Sequence, residues 1–316
     1  MRRWVRWLLG AVSVVLLVLG GAWLWFAAKY PAVPAARELA VAATPDRVDR
    51  GRYLVTHVTV CIDCHSQRDW TRFSGPVLVD TLGRGGHTFG PEAGFPGHLT
   101  PPNITPAALG TWSDGEIARA ITEGVNREGR ALFPFMPYPL YASLDPQDLA
   151  AIIAYLRTLK PIEHATPPTA LDFPLNLLVR TMPKPAQLAP APARQDEVAY
   201  GRYLSTIAGC VECHTPTTEK GQRIESRLFA GGGKFKMGNG QTVVSKNLTP
   251  HPTDGLGDIA REDFLGMFRG YTDGAPPIPP QAPNTPMPWT LYAGMTDEDL
   301  GAIHAYLQSL PPLPAQ

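Results

Sequence analysis

The sequence is poor in cysteine, has no net charge and lacks the pattern of an extended β-sheet. Only 4 of its 316 residues are cysteine, and 28 basic residues balance 28 acidic ones. No basic block resembles a nucleic-acid-binding surface, which excludes that class of partner. No segment of any length alternates apolar and polar residues, so long strands are not expected. Acidic residues are missing altogether before Glu38, which sets the N-terminal segment apart from the remainder.

Proline and glycine, in contrast, are abundant. The chain holds 34 prolines and 30 glycines, and its share of proline is about twice the usual value of roughly 5%. This composition predicts short helices joined by long, stiff, irregular loops. We therefore predict an all-α fold with Pro/Gly-rich loops.

The first thirty residues have the character of a membrane-spanning helix. From Trp7 to Ala28 the chain runs for 22 residues without a charge, about the length needed to cross a bilayer. The residues before this run are basic, namely Arg2, Arg3 and Arg6. Because basic residues keep their end of a helix cytoplasmic, we predict an anchor over 1–30 in the inner (cytoplasmic) membrane, with everything after Tyr30 in the periplasm. A long cleaved signal peptide is the alternative, although Phe26 occupies a position where such a peptide needs a small residue.

The remainder of the chain repeats itself once. The segment RGRYLVTHVTVCIDCH reappears as YGRYLSTIAGCVECH. NITP at Asn103 returns as NLTP at Asn247, and a Met-Pro-aromatic segment at Met136 returns at Met287. The separation between matching positions stays between 144 and 151 residues. We therefore predict two homologous helical domains in tandem.

These markers define the predicted organisation of the chain. It consists of an anchor at 1–30, a linker at 31–45, a first domain at 46–165, a Pro-rich connector at 166–195 and a second domain at 196–316. Capping residues and a 3.6-residue period of apolar side chains predict the helices of both domains. They span 49–57, 113–124 and 145–159 in the first domain, and 197–206, 261–269 and a segment beginning at Thr296 in the second.

Both domains carry the pattern Cys-x-x-Cys-His, at Cys61–His65 and Cys210–His214. This is the attachment motif of c-type haem. Two thiols three positions apart reach the two vinyl groups of one haem, and the adjacent histidine binds the iron. We predict two covalently bound haem c groups, attached through Cys61, Cys64, Cys210 and Cys213, with His65 and His214 as proximal ligands. Disulfide bonds, a zinc site with four cysteine ligands and chance are the alternatives.

A methionine follows each proximal histidine at nearly the same distance. Met136 lies 71 residues after His65, and Met287 lies 73 residues after His214. Methionine and histidine are a known pair of axial haem ligands, so we predict Met136 and Met287 as the sixth ligands of the two irons. A histidine from a loop is the alternative in each case, and the candidates are His87, His98 and His251.

Several paired positions have structural interpretations. Two glycines are expected to let helices approach closely, and two tyrosines to pack the first helix against a tyrosine of the last. Two histidines are interpreted as packing or surface residues, and two arginines as members of an exposed helix face, with contact to haem propionates as the alternative. The glycines are Gly51 and Gly201, and the tyrosines are Tyr53 and Tyr203, expected to pack against Tyr155 and Tyr306. The histidines are His57 and His304, and the arginines are Arg52 and Arg202. Phe264, Met267 and Phe268 are expected to share one helix face.

Both domains resemble class I cytochrome c. The segment NITPAALGTWSDGEIARAITEGVNREGRALFPFMPY in the first, with LFAGGGKF and NLTP in the second, is similar to the cytochrome c subunits of membrane-bound periplasmic dehydrogenases acting on alcohols, aldehydes or gluconate. The resemblance implies iron ligation by His65 with Met136 and by His214 with Met287. Those subunits commonly carry three haems, whereas this chain has two motifs. In many such domains a proline carbonyl orients the proximal histidine, a role available to Pro76 in the first domain, whereas Ala230-Gly231-Gly232-Gly233 stands at the matching place in the second.

These features predict an electron carrier, or an electron-transfer subunit of a dehydrogenase complex, rather than an enzyme. It would pass electrons in the periplasm from a dehydrogenase or quinol-oxidising complex toward a terminal oxidase. A dihaem cytochrome c peroxidase is the alternative, and that activity needs an iron with an open or releasable sixth position. A haem-bearing structural anchor for a partner enzyme is a third interpretation.

Overall fold

The computed structural model describes residues 3–219, 221–238, 240–279 and 281–315. Met1 and Arg2 of the predicted anchor lie outside these ranges. The prediction of a mainly helical chain is confirmed. The helices before the connector are α1 (Arg3–Lys29), α2 (Pro45–Tyr53), α3 (Cys61–Cys64), α4 (Pro106–Leu109), α5 (Asp114–Glu123), α6 (Tyr138–Tyr141) and α7 (Pro146–Thr158). Those that follow are α8 (Leu175–Leu178), α9 (Glu197–Ile207), α10 (Cys210–Cys213), α11 (Arg261–Arg269), α12 (Trp289–Tyr292) and α13 (Asp297–Gln308).

The longer predicted helices are confirmed to within two residues at either end, apart from the first. That helix, α2, begins at Pro45 rather than Asp49 and continues as a π-helical turn over Leu54–Val58. Proline is favoured in the first turn, where its missing N–H has no partner to lose. The predicted capping box at Ser113 is also confirmed, because Glu116 N donates to Ser113 Oγ and Ser113 N donates to a Glu116 carboxylate oxygen.

The structure contains two pairs of short strands, although the sequence predicts no long strand. Strand β1 (Gly97–His98) pairs with β2 (Ala170–Leu171), and β3 (Lys234–Lys236) pairs with β4 (Thr242–Val244), both antiparallel. The first pair joins a loop of the N-terminal half, which we define as residues 31–165, to the connector. The second pair is a local hairpin in residues 196–315, the C-terminal half. Strands of two or three residues are too short to leave an alternating pattern in the sequence.

Helix α1 is long and apolar enough to cross a membrane, by length and composition, with a mean hydropathy of 2.2 over its most apolar window. None of its residues is buried. At its C-terminal end Arg180 Nη2 donates to the carbonyl oxygens of Ala27 and Tyr30, at 3.1 and 2.6 Å. The connector is thus joined by hydrogen bonds to the end of the apolar helix.

Two close helix pairs form the cores of the halves, α2 with α7 and α9 with α13. Glycine makes both possible, as predicted. A Cβ atom added at Gly51 would lie 1.9 Å from the carbonyl oxygen of Ala151, and one at Gly201 would lie 1.8 Å from that of Ala302. Only a residue without a side chain fits between backbones at this separation.

The tyrosines beside these glycines, Tyr53 and Tyr203, form hydrogen bonds between the halves, which the sequence did not predict. Tyr53 OH donates to Asp299 Oδ2, and Tyr203 OH donates to Asp148 Oδ2, each at 2.7 Å. Both carboxylates are buried, and a buried carboxylate requires donors. Each half therefore supplies a phenol to the last helix of the other.

The remaining structural predictions have mixed outcomes. Phe264 and Phe268 are buried, but Met267 is 41% exposed, so the three do not share a packed face. His57 Nδ1 lies 2.8 Å from the carbonyl oxygen of Leu291, and His304 Nε2 lies 3.0 Å from that of Ile259, which confirms both as packing residues. Arg52 and Arg202 are exposed, as predicted.

Candidate functional site

Each Cys-x-x-Cys-His motif forms one short helical turn that follows a residue of left-handed backbone conformation. The preceding residues are Val60, with φ +42°, and Gly209, with φ +72°. Within the turns His65 N donates to Cys61 O and His214 N donates to Cys210 O, both at 3.0 Å. A helical turn brings side chains three positions apart onto one face. Both cysteines of each motif are therefore on the same side, next to their histidine.

One ring nitrogen of each histidine is fixed by a backbone carbonyl. His65 Nδ1 lies 2.7 Å from Pro102 O, and His214 Nδ1 lies 2.7 Å from Lys246 O. The expected role of Pro76 is therefore wrong. In the second domain the corresponding carbonyl is that of Lys246, which occupies the position that matches Pro102. Such a bond holds the ring orientation and leaves Nε2 available for a metal.

The two carbonyls are held in place by the repeated Asn-x-Thr-Pro segment. Asn103 Oδ1 accepts hydrogen bonds from the backbone and the hydroxyl of Thr105, and Asn103 Nδ2 donates to Ile162 O at 2.8 Å. Asn247 makes the same bonds with Thr249, and its Nδ2 donates to Leu313 O. Sequence reasoning used these asparagines only as repeat markers, although their recurrence at matching positions was a signal of this role.

In the N-terminal half three predicted site residues line one apolar cavity. They are Cys61, His65 and Met136. Its other walls include the core side chains Ile104, Ile121, Ile152 and Leu156. An apolar cavity with a thiol, an imidazole and a thioether on its walls fits the attachment and ligation of a haem.

The rival ligands are not placed there. His87 and His98 are exposed, and His251 Nδ1 accepts a hydrogen bond from Asp254 N at 3.2 Å. The structure thus assembles the methionine, and not these histidines, with the first motif.

The second predicted site has matching elements and is more open. Cys210 and Met287 both pack against the hydrophobic core. His214 is half-buried and Cys213 is exposed, whereas His65 is buried. The loops of the two methionines form turns of the same kind. Met136 O accepts a hydrogen bond from Tyr138 N at 2.7 Å, and Met287 O accepts one from Trp289 N at 2.9 Å.

Burial sets the protonation of these groups. It lowers the pKa of His65 and of His214, so both imidazoles are neutral near pH 7, the form that binds a metal. Burial, with smaller contributions from neighbouring charges, raises the pKa of Cys64 to about 12.

A further matching pair of residues supports both motifs. Tyr141 OH donates to Thr59 O at 3.2 Å, and Tyr292 OH donates to Ala208 O at 2.6 Å. Each accepting carbonyl lies two residues before the first cysteine of its motif. All four cysteines are free of disulfide bonds.

Comparison with known proteins places this geometry in a family, although no family model matches the chain. The chain is 32% identical over 267 residues to the "Diheme cytochrome c-type" of Cereibacter sphaeroides, covering 79% of this chain and 82% of that protein. It is 30% identical over 295 residues to the "Alcohol dehydrogenase (quinone), cytochrome c subunit" of Komagataeibacter europaeus, covering 87% of this chain. It is 28% identical over 292 residues to the "Gluconate 2-dehydrogenase cytochrome c subunit" of Pantoea cypripedii, covering 83%.

The chain spans 59% of the length of the two dehydrogenase subunits. These relatives confirm the resemblance drawn from the sequence and the prediction of an electron-transfer protein rather than an enzyme. They give no support to the peroxidase alternative. The chain belongs to the family of c-type cytochromes that includes the Cereibacter sphaeroides cytochrome and the cytochrome c subunits of alcohol and gluconate dehydrogenases.

Proposed function

We propose that the protein is a membrane-anchored dihaem cytochrome c that transfers electrons in the periplasm. Haem, when bound, supplies one-electron chemistry between Fe(III) and Fe(II), and the protein supplies ligands, burial and docking. One observation carries the proposal: each half presents a Cys-x-x-Cys-His turn whose histidine Nδ1 lies 2.7 Å from a matching backbone carbonyl. Two separate copies of this arrangement fit two haems.

The proposed haem sites follow the two motifs. Cys61 and Cys64 attach the first haem, with His65 and Met136 as axial ligands. Cys210 and Cys213 attach the second, with His214 and Met287 as axial ligands. The cavity that joins Cys61, His65 and Met136 supports the first set. The matching turn at Met287 and the neutral, oriented imidazole of His214 support the second.

The two sites would belong to two cytochrome c-like domains, 46–165 and 196–316, joined by the connector 166–195. The paired helices α2 with α7 and α9 with α13 support this division. Hydrogen bonds run from Asp63 through Arg68 and Ser74 to Met287 O, and this link between the first motif and the second site supports electron transfer between the two haems. An electron accepted at one haem would then leave from the other.

Residues 1–30 are proposed as a retained anchor in the inner membrane, with a single pass and the haem domains in the periplasm. The contacts of Arg180 support retention over cleavage, because its guanidinium bonds to Ala27 and Tyr30 and lies over the ring of Phe26 at 5.9 Å. The linker at 31–45 is fixed as well, since Val41 N donates to Asp114 Oδ2 at 2.8 Å.

The proposed donor is a periplasmic dehydrogenase or a quinol-oxidising complex, and the proposed acceptor is a terminal oxidase. The names of the relatives support a dehydrogenase as partner, since they describe cytochrome subunits of alcohol and gluconate dehydrogenases. The presence of two motifs within one chain supports a relay, in which partners dock at different halves.

Detergent extraction of the native protein, followed by intact mass measurement and identification of co-purifying chains, tests this function. We expect a mass increase of two haems and retention of residues 1–30. A stoichiometric dehydrogenase would make the protein a dedicated subunit, whereas isolation alone would make it a tethered carrier. The Cys61→Ala/Cys64→Ala variant should keep one haem. A wild-type protein with fewer than two haems, or a Cys61→Ala/Cys64→Ala variant without any, contradicts the proposal.

A further inference from the structure

We infer that Ser74, in the N-terminal half, is a positioning residue that holds Met287 of the C-terminal half toward its iron. The inference rests on the proposed ligation by Met287. It is carried by a set of hydrogen bonds that cross between the halves at the Met287 loop, residues 284–289.

Ser74 is almost fully buried, with 1% of its surface exposed. Its hydroxyl donates to Met287 O at 2.5 Å and accepts from Trp289 N at 3.0 Å. Its backbone N–H donates to Asn284 Oδ1 at 2.8 Å. One serine therefore bonds to three residues of the loop, including the backbone of the methionine itself.

The backbone of Ser74 is in the left-handed region, with φ +63°. A residue other than glycine holds this conformation only where its surroundings over-determine it. Here Arg68 supplies that constraint, because its Nη2 donates to Ser74 O at 2.6 Å and its Nε donates to Gly75 O at 2.8 Å. The serine is thus presented in a fixed orientation.

Arg68 also connects this contact to the first haem motif. Its Nη1 donates to Oδ2 of Asp63 at 3.0 Å, and Asp63 lies between Cys61 and Cys64. A continuous chain of hydrogen bonds, from Asp63 through Arg68 and Ser74, therefore ends on the backbone of Met287. The first attachment turn and the second axial ligand are mechanically linked.

Neighbouring contacts keep the two loops in register. Phe73 N donates to Pro276 O and Ile278 N donates to Thr71 O, both at 2.9 Å. The ring of Phe73 stacks on Tyr271 with centroids 5.6 Å apart. Loss of the Ser74 hydroxyl would leave these contacts intact, so the loss isolates the bonds to Met287 and Trp289.

Among the described residues, the backbone of Met136 makes no matching hydrogen bond to the other half. The hydrogen bonds of its backbone are local, from Met136 N to Phe133 O and from Tyr138 N to Met136 O. The two methionines should therefore respond differently to substitution of Ser74. The loop that carries a thioether holds it at the iron. Loosening only the Met287 loop should therefore let an added ligand such as imidazole displace the thioether only at the second haem.

Imidazole titration of the haem-loaded full chain tests the inference. It follows the loss of the sulfur-to-iron absorption band, with Met136→Ala and Met287→Ala variants assigning the band to each haem. We expect Ser74→Ala to bind imidazole roughly tenfold more tightly at the second haem, because the Met287 loop loses the hydrogen bonds that the hydroxyl of Ser74 makes with it. Binding at the first haem should not change.

Two further variants serve as controls. Ser74→Gly removes the hydroxyl and also relieves the left-handed backbone, so it should fold and bind imidazole as tightly as Ser74→Ala. Among the described residues the hydroxyl of Thr71 bonds only to Asp69, in the same loop. Thr71→Val removes this hydroxyl and should match the wild type.

The outcomes separate the inference from the proposed ligation. If Met287→Ala leaves both bands intact, Met287 is not the ligand and the proposed function loses that residue. If Met287→Ala removes one band while Ser74→Ala and Ser74→Gly bind imidazole like the wild type, Ser74 does not position the ligand. An effect in Ser74→Ala that Ser74→Gly lacks also overturns the inference, because both variants lack the hydroxyl.

Discussion

The phenol of Tyr53 donates a 2.7 Å hydrogen bond to Oδ2 of Asp299, 246 residues further along the chain. The same phenol oxygen accepts from the backbone N–H of Thr296, which caps helix α13. Tyr203 repeats both bonds in the opposite direction, with Asp148 and with the N–H of Asp145 at the start of α7. Each half thus completes the N-terminal turn of the other's last helix.

Removal of this phenol should destabilise the protein. We expect Tyr53→Phe to lower the free energy of unfolding by about 1–3 kcal/mol, because the buried carboxylate of Asp299 loses a donor. Denaturant unfolding of the haem-loaded protein in detergent measures the change. Tyr155→Phe is the matched control, since Tyr155 is the residue that sequence reasoning paired with Tyr53. An equal loss in both variants would contradict the cross-half bond as the cause.

The same tyrosines predict a loss of stability at alkaline pH. Burial, with the charges of Asp299 and Asp148, raises the pKa of Tyr53 and of Tyr203 above the ordinary value of 10.0. Their contribution to the free energy of unfolding is therefore fully present below pH 10. It declines above pH 10, because the unfolded chain loses protons that the folded chain keeps. The decline is up to about 1.4 kcal/mol per pH unit for each tyrosine. Unfolding at several pH values should show a shallower decline in Tyr53→Phe/Tyr203→Phe, and an unchanged slope would refute this assignment.

Gly51 should tolerate no side chain. In Gly51→Ala the new Cβ would meet the carbonyl oxygen of Ala151 at 1.9 Å, so α2 and α7 must separate, and we expect a loss of about 2–4 kcal/mol. Gly266 in α11 is the control, since a Cβ there meets nothing within 4 Å. Gly266→Ala should be stabilising by about 0.5–1 kcal/mol. Thermal unfolding distinguishes the expected loss of stability in Gly51→Ala from the expected gain in Gly266→Ala. A stabilising Gly51→Ala would show that α2 and α7 are not in contact.

Asn103 should control the potential of the first haem through His65, its proposed proximal ligand. Asn103→Ala releases the loop that carries Pro102 O, which weakens the hydrogen bond to His65 and lowers the basicity of the imidazole. A less basic ligand stabilises Fe(III) less, so the potential of the first haem should rise while that of the second stays. Redox titration measures both, and Pro76→Ala is the control. A shift in Pro76→Ala instead would restore the role expected for Pro76 from the sequence.

Met136→Ala should lower the potential of the first haem and leave the second nearly unchanged, because thioether ligation raises the potential. Met182 in the connector is the matched control, as it has no counterpart in the repeat. Spectroelectrochemical titration resolves the two haems. Equal shifts at both, no shift at either, or a comparable effect from Met182→Ala would count against Met136 as the ligand.

Local features of this protein follow from its sequence because they depend on neighbouring residues. The turn at Cys61–His65, the cap at Ser113 and the apolar length of α1 each need only the spacing of a few side chains along a helix. Gly51 also belongs to this group, since glycine within an otherwise helical segment indicates a close approach. These predictions required no knowledge of which segments meet.

Contacts between distant segments were decided by the tertiary structure. Pro102 lies 37 residues from the histidine that it orients, and nothing local to either residue marks the pair. The tandem repeat hides the partner of Tyr53 for a further reason. Since both copies carry the same residue types at matching positions, a bond within one copy and a bond between copies leave the same sequence pattern. Only the packing of the two halves selects Asp299 for Tyr53, because it buries that carboxylate where the other half's phenol can reach it.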